Sequence, residues 1–517
     1  MTQTRGRFNA GVGVAGRVAL IGCAALGAMP AAAQEPTLFA GTWAAALGLD
    51  VRAEDPAEDV ADLRSRLDLD VRHPLGDGTR VRVAGRMAWR ALAGHDADGM
   101  PLVHLDWPAY GLRHDATFEL REAYVARDFG PWGQWTLGRD VADWGALELQ
   151  SPLRLLNPVD FRFGFAGALQ AGGESASVPD FMLRGVRVFE AGTLELVVQP
   201  FFAQHRFSPF ATDTAMLRPG VGPPQQAALV PLVRRLDLRL DRAFGEAVMA
   251  QIDAPPPSPA AASVAARFKR SVGPGDLALD VVFGWERPPL LAFDADVALL
   301  LGVLASAGFD PQKQFDALAD AQVAAAVQRV VAAKKGPADL VRASWQRRLV
   351  VGLEWSGEPA EGWIVKVDLA HSLRLGTDVG RVVYTRAFAP VRTALSQAGL
   401  GIEWQHGDAI VVLAEGLYSY AHDVPEGTLL FLQARHHVTL GGGAVVRWGD
   451  QQQWTLQVGG LWGASLGDLI VAPRLAWSFA EGWTAGAGAV IAEGPLQSPG
   501  GLFDADDQVL LDVQRAF

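Results

Sequence analysis

Nucleophilic catalysis needs a hydroxyl or thiol held by a base, and the chain has a single adjacent His–Ser pair, His371-Ser372. Apolar and polar residues alternate around it as in a strand, where neighbours face opposite ways, so the two cannot act together. His436-His437 fails as a metal site for the same reason, and no Cys or acid joins it at ligand spacing. Gly441-Gly442-Gly443 is not followed by Lys-Ser or Lys-Thr, so it is not a phosphate-binding loop; in a strand context it reads as a bend or bulge. The residues therefore offer no catalytic group, no metal ligand set and no cofactor motif. What the chain does supply is charge at alternate positions: Arg64, Arg66, Asp68 and Asp70, then Arg80, Arg82, Arg86 and Arg90 beyond the turn Gly76-Asp77-Gly78. On a wet wall such a row keeps a water path open and holds anionic solutes, with Arg better than Lys for carboxylates and phosphates. The same Arg and Asp residues could equally pair across strands as a structural ladder.

The elements that carry this row have a period of two. Val81, Val83, Met87 and Trp89 face away from Arg80, Arg82, Arg86 and Arg90, which makes 63–72 and 80–90 a hairpin with one greasy and one charged side. Similar alternation marks 38–51, 194–202, 277–285, 349–355, 363–369, 454–461 and 508–517, with weaker stretches between them. The total is about 16 to 18 strands, within a range of roughly 14 to 18, each about ten residues long, the length a tilted strand needs to cross a hydrocarbon core. Stacked sheets would require a second apolar layer, whereas here the opposite face often holds Arg and Asp. The expected fold class is all-β: a transmembrane antiparallel β-barrel with helical loop insertions, lipid outside and water inside. Trp residues near the strand ends, among them Trp43, Trp135, Trp363, Trp448, Trp454 and Trp483, suit an aromatic girdle. Leu511, Val513 and Phe517 on one face of the last strand resemble the sorting signal read by bacterial barrel-assembly machinery. Alternation begins soon after Gln34, without the preceding globular plug of an energy-coupled receptor. A formal charge of −12 with basic residues scattered singly excludes nucleic acid as a partner.

Residues 1–33 read as a secretory signal: Arg5, Arg7 and Arg17, an apolar run, then Ala31-Ala32-Ala33 before cleavage near Ala33. Cleavage there discards Cys23, the only cysteine; Leu20-Ile21-Gly22-Cys23 also fits a lipobox, which would make that Cys a lipidation site instead. Residues 34–517 then form one barrel domain.

Segments that break the alternation are where a barrel keeps its selectivity. The first, 93–115, is rich in Gly and Pro and reads as an exposed loop. Segment 139–175 is expected to fold inward, either as a loop that stabilises the wall or as a selectivity constriction, with Arg139, Asp140, Trp144, Asn157, Asp160 and Arg162 as constriction-loop candidates. Arg139 and Asp140 are strand neighbours, so at most one can line the pore; Asn157-Pro158 reads as a turn, with Asp160 able to cap a short helix. Segment 207–263 carries Leu229, Leu232, Val233, Leu236 and Leu240 at helical spacing, then a proline-rich return over 254–259. Segment 288–344 reads as a helical hairpin, 297–307 and 315–333, serving as plug, cap or self-packed crown. The sequence Gly138-Arg139, Trp144-Gly145 and Asn157-Pro158-Val159-Asp160, preceded by Leu120-Arg121-Glu122-Ala123-Tyr124-Val125, resembles a little-characterised porin-like family of Gram-negative outer-membrane barrels, distantly similar to polysaccharide (alginate-type) export porins. The resemblance implies movement of apolar or bulky compounds, sometimes beside an inner-membrane efflux system. The expectation is a porin-like channel for passive diffusion or export of a small molecule or polymer, without enzymatic activity or cofactor. It would sit in the cell outer membrane, with outer-membrane lipid and lipopolysaccharide and the barrel assembly machinery as partners. The alternative is a sealed structural or assembly barrel that docks another envelope protein through its helical insert.

Overall fold

The computed structural model describes residues 36–50, 60–94, 117–159, 177–205, 255, 258–307, 311–332, 337–376, 378–385, 389–495, 498–502 and 507–517, and the single positions 236, 240 and 243. The signal segment 1–33, the sites Asp160 and Arg162 and most of the loop at 93–115 lie outside these described residues.

Alternating sequence becomes strand almost throughout. In chain order the strands are β1 Leu38–Asp50, β2 Val60–Gly76, β3 Thr79–Gly94, β4 Thr117–Asp128, β5 Gln134–Asp140, β6 Asp180–Phe189, β7 Gly192–Gln199, β8 Ser263–Val272, β9 Gly275–Trp285, β10 Leu290–Phe293 and β11 Val341–Ser344. They continue with β12 Arg347–Ala360, β13 Trp363–Leu373, β14 Arg381–Tyr384, β15 Pro390–Thr393, β16 Leu395–His406, β17 Ile410–Ala421, β18 His436–Trp448, β19 Trp454–Gly463, β20 Asp468–Ala480, β21 Trp483–Glu493 and β22 Gln508–Ala516. Two short ribbons, β10–β11 and β14–β15, stand apart; the other strands form one 18-stranded antiparallel sheet that β1 and β22 close into a barrel. Closure leaves no edge with unpaired N–H and C=O groups.

Short turns and both strands of the closing seam share one end. The β2–β3 turn runs through Gly76, Asp77 and Gly78, all at positive φ, the twist that a two-residue hairpin requires. Phe517 extends the seam, exchanging backbone hydrogen bonds of 2.9 Å with Gly41, and its ring crosses that glycine to lie 6.3 Å from Phe39. At this end Trp448, Trp454, Trp477, Phe479, Trp483 and Trp43 form a chain of ring contacts 5.4 to 6.3 Å apart, running from β18 to β1. Outside, the positions between the charged rows are apolar and exposed, including Leu63, Val83, Met87, Leu279, Leu400, Ile402, Leu456 and Leu511. A soluble protein does not expose such a continuous skin, whereas lipid covers it at no cost.

The long connections gather at the other end. Helices α1 Ala295–Ala307, α2 Pro311–Ala319, α3 Ala321–Val331 and α4 Pro337–Leu340 replace the expected two-helix hairpin. The predicted helix over 315–333 is split because the Asp320 carboxylate accepts from the N–H groups of Gln322 (2.8 Å) and Val323 (3.3 Å), capping a new start. In segment 207–263 the described positions Leu236, Leu240 and Ala243 are helical and buried against Val297, Leu300, Val323, Val327 and Val330. Trp345 belongs to that core, with Phe202 and Trp285 packed against it, so the inserts share one core seated on the rim above β7, β9 and β12. The Gly441 to Gly443 run is neither a bend nor a bulge: β18 pairs through it with β17 and β19 in unbroken register. Its purpose emerges inside the lumen.

Candidate functional site

Following the register around the closed sheet places Arg64, Arg66, Asp68, Asp70, Arg80, Arg82 and Arg86 on the same face as Asp368 of β13 and Glu415 of β17, the lumen face. Arg90 holds a position in this row; its side chain lies outside the described residues. Asp68 takes Arg66 at 2.7 Å and Arg86 at 2.6 Å. Asp70 takes Arg72 at 2.8 Å and Arg82 at 2.9 Å, and Arg82 also reaches Glu122 of β4 at 2.5 Å. On β20 and β22, Arg474 and Asp512 pair at 2.7 Å. The charges form cross-strand ladders in which Arg66, Arg82 and Asp68 remain 23 to 27% exposed.

The facing wall is covered. After β5 the chain turns into the lumen, and the Asp140 carboxylate, inward on its strand, accepts from the Val141 N–H at 2.8 Å. Arg139, on the opposite side of the alternation, donates to the Arg121 carbonyl at 3.1 Å. Trp144 is fully buried, its indole N–H on Glu195 of β7 at 3.1 Å. Asp368 then accepts three donors, the N–H groups of Ala146 (2.9 Å) and Leu147 (3.1 Å) and the Ser151 hydroxyl (2.6 Å). Glu415 accepts the N–H groups of Glu148 (2.6 Å) and Leu149 (2.8 Å). Glycines on the same wet phase of the strands make room for the leucines between these bonds. Leu153 lies against Gly352, Leu147 against Gly399 and Gly401, and Leu149 against Gly441, where in each case a Cβ would collide.

Contacts from Trp144 to Leu149 thus run from β7 to β18. Five residues span at most about 18 Å, while the seven intervening strand spacings measure about 34 Å of wall. The loop therefore runs along the inner side of this wall on a shorter arc, its side chains packed on the strands and its bulk taken from the lumen. Behind it Asp280 of β9 and Glu354 of β12 are buried, served by Arg267 of β8.

The return limb is held by its carbonyls. Arg348 donates to Leu155 O, while Arg287 (2.5 Å) and Gln199 (2.7 Å) donate to Leu156 O. Asn157 accepts from Ala142 N–H at 2.8 Å and donates to Asp140 O and Val178 O, stapling the two ends of the loop together. His205 Nδ1 accepts the Val159 N–H at 2.8 Å; burial and the nearby Arg287, Arg348 and Arg381 hold this imidazole well below its ordinary range, so it is neutral. Charges left on the open side of the loop are Asp143, Glu148 and Arg154, with Arg154 3.1 Å from Asp143 and Glu148 2.9 Å from Lys366.

Of the loop residues singled out in the sequence, Asp140, Trp144 and Asn157 lie where the chain leaves β5 and packs on the inner wall, and Arg139 stands on the opposite strand face from Asp140. Sequence reasoning missed the receiving wall: Glu195, Asp368, Glu415 and the glycines at 352, 399, 401 and 441. The available signal was the wet phase of β16, where Gly399 and Gly401 stand between Gln397 and Glu403. His371 and Ser372 diverge as expected, the first exposed and the second buried. Among the described residues no group of three or more His, Cys, Asp or Glu could hold a metal ion.

No family model and no curated protein matches the chain. Among solved structures it is similar to OmpF of Salmonella typhi in complex with daunomycin, at 7% identity over 93% of this chain and 97% of that one, with a TM-score of 0.40. It is likewise similar to OccAB3 of Acinetobacter baumannii, at 10% identity over 93% and 99% with a TM-score of 0.44. A third is the outer membrane channel DcaP of the same organism, at 8% identity over 95% and 99% with a TM-score of 0.38.

Proposed function

We propose that the chain is a passive diffusion channel of a Gram-negative outer membrane that favours small anionic solutes. The observation that carries this reading is the asymmetry of the lumen. One wall presents a water-exposed arginine row, and the other is sealed by a loop whose N–H groups occupy its acids. A solute passing the loop faces guanidiniums on the opposite wall, and carboxylates and phosphates bind them best. The apolar skin and aromatic girdle fit a bilayer, and the short turns and strand ends of the seam mark the periplasmic side, as in bacterial barrels generally. A loop that takes up part of the lumen favours small solutes over a polymer. Conductance of the purified protein in planar bilayers tests the proposal: discrete steps with anion-favouring reversal potentials are expected. No steps above the lipid background, even after deletion of the insert over 289–343, would sink it and leave the sealed barrel.

A further inference from the structure

The outer wall has a second polar cluster, at the long-connection end and on the lipid side. The Ser396 hydroxyl lies between two imidazoles, His371 Nδ1 at 2.9 Å and His422 Nε2 at 2.8 Å. His422 stands edge-on to Tyr420 at 4.6 Å, and Tyr420 in turn lies 4.7 Å from His436, whose Nδ1 meets the Tyr418 hydroxyl at 2.9 Å. Arg435 reaches over Tyr420 and donates to its hydroxyl at 3.0 Å. Among the described residues no carboxylate pairs with Arg435, and its buried Nε has no hydrogen-bond partner. Asp423, next to His422 in the chain, is taken by Arg374 at 3.3 Å and by the Ala394 N–H. Among the described residues the cluster therefore holds a guanidinium without a carboxylate partner beside three imidazoles.

Its height identifies what it meets. On β16 the outward residues run from Ser396 through Leu400 and Ile402 to Trp404, whose ring lies 6.3 Å from Trp363 near the short turns. Eight residues at about 3.4 Å each, tilted by about 40°, span roughly 20 Å of membrane normal, close to the apolar band of such barrels. The cluster thus sits where the acyl layer ends on the side of the long connections. Directly below it Gly416 and Gly442 carry no side chain between Leu400 and Leu440, leaving flat apolar wall for hydrocarbon.

We propose that this cluster binds a phosphate group of the phosphorylated, multiply acylated glycolipid of the outer leaflet. Arg435 is the principal anion contact, the ring nitrogens of His371 and His422 supply further donors, and the acyl chains lie along the glycine-flattened wall. The proposal rests on the membrane placement given under Proposed function, but not on conduction.

The test reconstitutes the full chain in phosphatidylcholine nanodiscs doped with bisphosphorylated lipid A and measures bound lipid by native mass spectrometry. The triple variant Arg435→Gln, His371→Gln, His422→Gln should retain at least about tenfold less lipid A, since each lost charge-assisted hydrogen bond weakens binding by about that factor. Its single-channel conductance should be unchanged, which separates this site from the pore. Should the triple variant fail to insert, Arg435→Gln alone should still show a severalfold loss. Retention equal to the parent in either inserted variant would overturn the proposal. So would equal retention of dephosphorylated lipid A, or loss of a dimer mass in place of bound lipid, which would make the cluster a contact between copies.

Discussion

The two inner walls of this barrel use the same residue types to opposite ends. On β2, β3 and β4 the carboxylates of Asp68, Asp70 and Glu122 are spent on arginines, and the ladders stay wet. On β13 and β17 Asp368 and Glu415 are spent on backbone N–H groups of a loop and lose contact with water. A carboxylate is therefore ladder member or loop anchor according to its neighbours. Arg at the cross-strand position keeps it in the wet ladder, while glycines beside it admit a chain and bury it. Burial also changes the energetics. Exposed ion pairs contribute little because water competes for both partners, whereas a buried N–H deprived of its acceptor bears the full desolvation cost.

The largest expected effect breaks the covered wall. Asp368→Ala combined with Glu415→Ala removes the acceptors of four loop N–H groups and one hydroxyl, and should lower stability against urea by at least about 3 kcal/mol. Single-channel conductance should rise and become noisy as the loop leaves the wall. By contrast, Arg82→Gln on the wet wall should change stability by less than about 1 kcal/mol; equal losses on the two walls would erase the distinction. Next, Gly352→Phe places a ring where Leu153 packs and should destabilise by about 1–3 kcal/mol, with a raised conductance that Gly442→Ala on the lipid face does not share. The smallest effect concerns His205. Its imidazole is neutral when the loop is docked, and a released or unfolded chain titrates at its ordinary value of 6.5. Docking stability is therefore fully present above that value and falls as pH drops below it. Gating noise should increase between pH 7 and pH 5 in the parent, and the His205→Gln variant, which keeps an acceptor but does not titrate, should show a flatter response.

The barrel strands could be read from the sequence because period-two charge over 63–90 makes a hairpin with Arg and Asp on one face and Leu, Val and Trp on the other. Gly138-Arg139, Trp144-Gly145 and Asn157 marked the break in the alternation after β5. The anchoring wall was not legible, because Ala146 and Asp368 lie 222 positions apart and nothing near either residue announces the other. Asp368 alone looks like one more polar position on an apolar strand. Gly441 was misread as a bulge because a glycine that admits a distant leucine has the same local sequence as one that bends a strand. The split at Asp320 was hidden by the apolar stripe of Val323, Val327 and Val330, which continues the rhythm of Leu318 and masks a cap in the middle of the pattern.

The measurement that bears most directly on the asymmetric lumen is the reversal potential of the purified channel under a KCl gradient, before and after replacing Arg66, Arg82 and Arg86 together by Gln. The account predicts a potential of anion-selective sign in the parent and a collapse toward zero in the variant, with the loop still docked and the barrel still folded. An unchanged potential, or a parent channel selective for cations, would contradict it.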